Sequence, residues 1–148
     1  MSELDKTLAV ARTIPDNEAF TALETLRRIG IAVGSVRRAD IWTFAVEADA
    51  VDALVATIAA TETVFNPNKH ELRERPQSRP LPGEVWIAPQ DDAPNVEVGG
   101  RRIPGVTGVR RRVGWQLLDE HGALVGPAEL DRAVETFLCN PAFQKAIR

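Results

Sequence analysis

The spacing of apolar residues changes several times along the chain, and each change marks an element. Leu8-Ala9-Val10-Ala11 is a short apolar run that ends at the turn signal Pro15-Asp16-Asn17. Asp16 suits a helix N-cap, since its carboxylate accepts from the first free backbone N–H groups. Ala19, Phe20, Leu23, Leu26 and Ile29 then keep helical spacing and leave Glu18, Glu24, Arg27 and Arg28 outside. Gly30 supplies the C-terminal stop. From Ser35 to Ala48 the period falls to two, with Trp42, Phe44 and Val46 on one face of a strand and Ile41, Thr43 and Ala45 on the other. Asp49 is placed to cap a second helix with Val51, Leu54, Val55, Ile58 and then Val64 or Phe65 inside. Asn66-Pro67 ends that helix, because a residue before proline is pushed out of helical space. Asn68 to Arg73 reads as a short edge strand.

Arg73 to Gly83 holds three prolines and almost no apolar residues, the composition of an extended, stiff linker. Beyond it Val85-Trp86-Ile87 forms a strand. Asp91 to Gly105 has no helical period, and Val96 to Ile103 reads as a hairpin or ordered loop around Gly99-Gly100. A strand follows from Val109 to Leu118. Pro127 suits the first turn of a helix that carries Leu130, Val134, Phe137 and Leu138 on one face and stops at Asn140-Pro141.

The second half repeats landmarks of the first. Val36-Arg37-Arg38 precedes Trp42 as Val109-Arg110-Arg111 precedes Trp115, with six positions from Val to Trp in both. Phe65-Asn66-Pro67 returns as Cys139-Asn140-Pro141, the Asn lying 24 and 25 residues after its Trp. The expected organisation is a first repeat over residues 1–74, a Pro-rich linker over 75–82 and a second repeat over 83–148. Each repeat is strand–helix–strand–helix–tail, an α+β pattern close to the ferredoxin-like class, with the first helix of the second repeat replaced by a loop or hairpin.

Composition narrows the function classes. A net charge of −3 argues against a dedicated nucleic-acid binder. The apolar runs are too short to span a bilayer, so no membrane role is expected. The acidic start Met1-Ser2-Glu3-Leu4-Asp5 lacks the order of a signal peptide, which makes the cytoplasm the expected location. A single cysteine and two histidines, at non-equivalent places, supply neither a disulfide framework nor a metal cluster. No cofactor is expected. No nucleophile–base pair surrounds Cys139 or Ser35, so no catalytic residues are assigned. Cys139 reads as a small buried apolar residue, His121 as part of an exposed turn and His70 as a solvent-facing edge residue. Gly99 to Gly105 lacks the spacing of a phosphate loop.

Two constellations remain. Arg37, Arg38, Arg110 and Arg111 recur at equivalent strand entrances, with Arg101 and Arg102 as further candidates near them. Guanidinium groups there either grip phosphates or partner carboxylates, or form a charged strand edge that discourages aggregation. Trp42 and Trp115 serve either as core anchors or as contacts between repeats or subunits, where tryptophan is over-represented.

The order of these motifs resembles the PurS family, the small subunit of phosphoribosylformylglycinamidine synthase. Leu26-Arg27-Arg28-Ile29-Gly30, Ser35-Val36-Arg37-Arg38 and Phe65-Asn66-Pro67 carry the resemblance in the first copy. Thr107-Gly108-Val109-Arg110-Arg111 and Phe137-Leu138-Cys139-Asn140-Pro141 carry it in the second. The family's Gly-Lys becomes Arg38-Ala39 and Arg111-Arg112, and its strand after Asn-Pro is weakly signalled in both copies. The resemblance implies a non-catalytic, dimer-forming subunit that bridges the synthetase and glutaminase components of a purine-biosynthetic amidotransferase and supports ammonia delivery. A tandem chain then resembles a covalently linked dimer, with a high effective concentration for pairing. The alternative is a regulatory module holding an anionic metabolite between the repeats; homo-oligomerisation stays open under both.

Overall fold

The computed structural model describes residues 3–148. It is an α+β protein with a six-stranded antiparallel sheet and three helices among the described residues. In chain order these are β1 (Glu3–Arg12), α1 (Asn17–Arg28), β2 (Ser35–Glu47), α2 (Val51–Ala59), β3 (His70–Arg75), β4 (Glu84–Pro89), β5 (Val106–Leu118), α3 (Pro127–Ala133) and β6 (Gln144–Ile147). The wider turn of a π-helix, Val134–Leu138, continues α3. The strands lie in the order β3-β1-β2-β5-β4-β6. Val10 stands opposite Leu72 where β1 meets β3, and Trp86 stands between Gly114 of β5 and Ile147 of β6.

Most sequence landmarks act as expected. Asp16 Oδ1 accepts from the N–H groups of Glu18 and Ala19 at 3.0 and 3.2 Å and caps α1. Gly30 ends that helix with φ +91°, a conformation a side chain would resist. Pro127 opens α3. Gly99 and Gly100, at φ +58° and +79°, turn the hairpin whose ends meet at Val98 and Arg101.

Four expectations about the helices are corrected. Asp49 does not cap α2: it lies inside a turn closed by the Ala50 N–H on the Glu47 carbonyl, and the cap residue is Ala50, with no side-chain bond. That helix ends at Ala59, before Asn66-Pro67, because Thr61 N–H closes onto Ile58 O in a tighter i→i+3 bond. Phe20 is 61% exposed, since the inner stripe of α1 runs through Ala19, Ala22, Leu23 and Leu26. Phe137 is 41% exposed because Cys139 N–H bonds Val134 O, five residues back, and the widened turn rotates Phe137 off the face held by Leu130 and Val134.

Both Asn-Pro dipeptides lead through a turn into a strand. Asn66 O accepts from the N–H of Lys69 and His70, and Asn140 O accepts from Phe143 and Gln144, each pair at 3.0 and 2.8 Å. The weakly signalled tails are thus β3 and β6, each at one edge of the sheet. His70 is half-buried rather than solvent-facing.

The chain forms two compact units. One comprises residues 1–14, 40–78 and 92–111; the other comprises 15–39, 79–91 and 112–148. Each draws segments from both sides of the 75–82 stretch, and β2 and β5 are each divided between them, after Ala39 and Arg111. In the first unit α2 and the hairpin cover Leu8, Val10, Trp42, Phe44 and Val46, with Leu54, Ile58, Val98 and Ile103 packed above. In the second, Leu26, Leu130, Val134 and Leu138 cover Val85, Ile87 and Leu117.

Residues on the opposite strand faces are buried as well. In the first unit the Thr7 hydroxyl bonds Thr43 Oγ1 at 2.9 Å and donates to Ser78 Oγ at 2.8 Å. In the second, Glu84 Oε1 accepts from the Trp86 indole at 2.8 Å and from Leu81 N–H at 3.0 Å, while Pro82 O accepts from Gln116. Residues of the Pro-rich stretch are thus hydrogen-bonded within each unit, Ser78 in the first and Leu81 and Pro82 in the second.

Candidate functional site

Alternation along β2 and β5 sets the direction of the repeated arginines. Arg38 shares a face of β2 with Trp42, and Arg111 shares a face of β5 with Trp115, each pair four residues apart. Neither arginine stacks on the Trp of its own strand. In the second unit the Arg38 guanidinium lies 5.7 Å from the Trp115 ring centre. In the first unit Arg111 lies 5.1 Å from the Trp42 ring centre. The contacts are reciprocal: the arginine of each sequence copy stacks on the tryptophan of the other.

Both arginines are also paired with carboxylates. Arg38 meets Glu18 Oε2 at 2.8 Å and Asp16 Oδ2 at 3.6 Å, with its side chain only 16% exposed. Asp16 thereby caps α1 and faces a guanidinium through its other oxygen. Arg111 donates to Asp40 Oδ2 at 3.1 Å and is 58% exposed. Arg110 donates through Nε to the Asp92 carbonyl at 2.9 Å. The Arg37 side chain is exposed and makes no ion pair or hydrogen bond with the described residues. Arg101 and Arg102 are exposed on the hairpin. Three of the four leading arginines thus already hold acceptors of the chain, and an incoming anion has to compete with them.

The two tryptophans differ in environment. Trp42 is 8% exposed and sits in the core of its unit. Trp115 is half-buried and forms a wall of a cavity of about 410 Å³ lined by Asn17, Glu18, Thr21, Phe137 and Leu138. Asn17 and Thr21 carried no sequence signal beyond lying on the outer side of α1. Phe137 did carry one, as an apolar position, but only the π-helical turn brings it to the cavity.

The remaining candidates are placed plainly. Cys139 is half-buried against the core of the second unit. His121 lies in an exposed turn held by Asp119 Oδ1. Among the described residues no group of three His, Cys, Asp or Glu side chains is arranged to hold a metal ion. Among the described residues no helix is long and apolar enough to cross a membrane. The fold and these sites define an α+β sheet protein with paired arginine–tryptophan contacts. No protein-family model matches the chain, and no curated protein matches it.

Proposed function

We propose that the chain is a tandem PurS-like assembly protein, a covalent pseudo-dimer that bridges the synthetase and glutaminase components of a purine-biosynthetic amidotransferase. The observation that carries the pseudo-dimer part is the strand order. β3-β1-β2-β5-β4-β6 reads the same in both directions when β1, β2 and β3 are exchanged for β4, β5 and β6. Two copies of a strand–helix or hairpin–strand–helix–strand unit, paired through their second strands, have that order. The reciprocal Arg38–Trp115 and Arg111–Trp42 contacts and the matching Asn-Pro turns support the same pairing. The pathway rests on the motif resemblance alone.

The test is reconstitution with the synthetase and glutaminase components from the same genome. Co-purification of all three, with glutamine-driven formation of formylglycinamidine ribonucleotide that needs this chain while ammonia-driven formation does not, is the expected result. Full glutamine-driven activity without the chain sinks the proposal, as does failure of the chain to join the complex.

A further inference from the structure

We infer that the cavity beside Trp115 binds a small aromatic ammonium compound, a role separate from the assembly function proposed above. Three observations carry it. First, the cavity joins an apolar wall of Trp115, Phe137 and Leu138 to polar groups from the first turns of α1. Its volume of about 410 Å³ is that of sites that take a ring-sized organic molecule. Second, the polar groups are available. The Asn17 amide and Thr21 hydroxyl make no hydrogen bond to the described residues, and Glu18 is 70% exposed with only Oε2 engaged, by Arg38. Third, the corresponding tryptophan is sealed: Trp42 shares its core with Val98 and Ile103 of the hairpin, whereas Trp115 faces open space. The π-helical turn in the wall widens the helix where Phe137 is presented, a distortion that recurs at functional sites.

The charge selects the ligand. Glu18 is the one carboxylate among the residues lining the cavity; its Oε2 pairs with Arg38, and its Oε1 has no hydrogen bond or ion pair with the described residues. Glu18 accepts hydrogen bonds but donates none when ionised, so the ligand must bring the donor. An aromatic ring fits against Trp115 and Phe137, and an ammonium group on a short stem reaches Glu18.

The experiment uses the full chain with 2-phenylethylammonium as probe and phenylacetate, the same ring with the opposite charge, as comparator. The Trp115 indole N–H resonance is followed by NMR, assigned with Trp115→Phe. The expected result is a saturable shift with 2-phenylethylammonium, at least about tenfold weaker binding of phenylacetate, and at least about threefold weaker binding to Glu18→Gln. Phe137→Ala, at an exposed position, provides a second variant and should weaken binding whether or not Glu18→Gln folds. No saturable shift overturns the inference. Equal binding of the two probes, or unchanged affinity in Phe137→Ala, does so as well.

Discussion

The imidazole Nδ1 of His70 accepts the backbone N–H of Asn66 at 3.0 Å, so a side chain closes the turn from within. Gln144 Oε1 does the same for Asn140 at 2.9 Å. Each asparagine also turns its own Oδ1 onto the N–H two residues on, of Asn68 at 2.9 Å and of Ala142 at 3.1 Å. Proline follows each Asn, has no N–H to satisfy and holds the chain out of helical space. The result is a compact reversal into an edge strand in which every backbone N–H from Asn66 to His70 and from Asn140 to Gln144 is paired. An imidazole and a carboxamide place an acceptor at the same point, which is why the turn survives a change of residue.

Equivalence of this kind makes a direct prediction. His70→Gln should leave stability within about 0.5 kcal/mol, while His70→Ala removes the acceptor and should cost about 1 kcal/mol. Urea unfolding monitored by tryptophan fluorescence separates the two. An equal loss in both variants shows that ring packing against Phe65, 6.2 Å away between centres, matters more than the hydrogen bond.

The two stacked arginines should differ in worth, although their contacts correspond. Arg38 is mostly buried and faces two carboxylates, one of which also caps α1. Arg111 is largely exposed and faces Asp40. Arg38→Ala should therefore cost roughly 2–3 kcal/mol, because Asp16 is left in a confined position without its cation. Arg111→Ala should cost about 1 kcal/mol or less, as exposed pairs do. Thermal unfolding at low and high salt checks both, with the smaller salt response expected for the contribution of Arg38.

Backbone crowding gives a third prediction, at glycines of two kinds. A Cβ on Gly34 would meet Asp119 O at 2.5 Å, a backbone atom that cannot rotate away. Gly34 N–H also bonds Leu118 O at 2.7 Å, so the close approach is built into the pairing of these segments. Gly34→Ala should cost roughly 2–4 kcal/mol. At Gly122 a Cβ would meet nothing within 4 Å, and only its φ of +80° resists substitution. Gly122→Ala should cost about 1 kcal/mol. Denaturant midpoints of the two variants, with comparable slopes, give the comparison.

Elements marked by local chemistry were the legible ones. Asp16, Gly30, Pro127 and Gly99-Gly100 each dictate a backbone state by their own side chain or lack of one, and the structure has them in those roles. Alternation also placed β2 and β5, because a strand shows its two faces through period two. What failed depended on partners distant in sequence. Asp49 has the right residue type for a cap, but a turn to Glu47 moves the helix start past it. The Pro-rich stretch reads as an extended, stiff linker by composition, and the partners of Ser78 and Pro82, Thr7 and Gln116, are visible only in the folded chain. Among the site residues, the repeated Arg and Trp were visible as a pattern, but their reciprocal stacking was not. The spacing within β2 and β5 says which face a residue takes and nothing about which strand lies beside it.

Phe20 offers the clearest test of that boundary between pattern and packing. Helical periodicity puts it with Leu23 and Leu26, yet it is exposed while Leu26 is fully buried. The inner stripe of α1 follows i, i+3, i+4 and i+7 from Ala19, and Phe20 stands one step beyond it. Replacing Phe20 by Ser should then change unfolding free energy by no more than about 0.5 kcal/mol. Leu26→Ala should cost about 2–5 kcal/mol, from lost transfer free energy and the void left beside Ile31 and Val33. A large loss in Phe20→Ser would place that ring in the core and move the whole stripe of α1, and with it the orientation of Asn17, Glu18 and Thr21 toward Trp115. Equilibrium unfolding of these two variants therefore tests the packing on which the cavity depends.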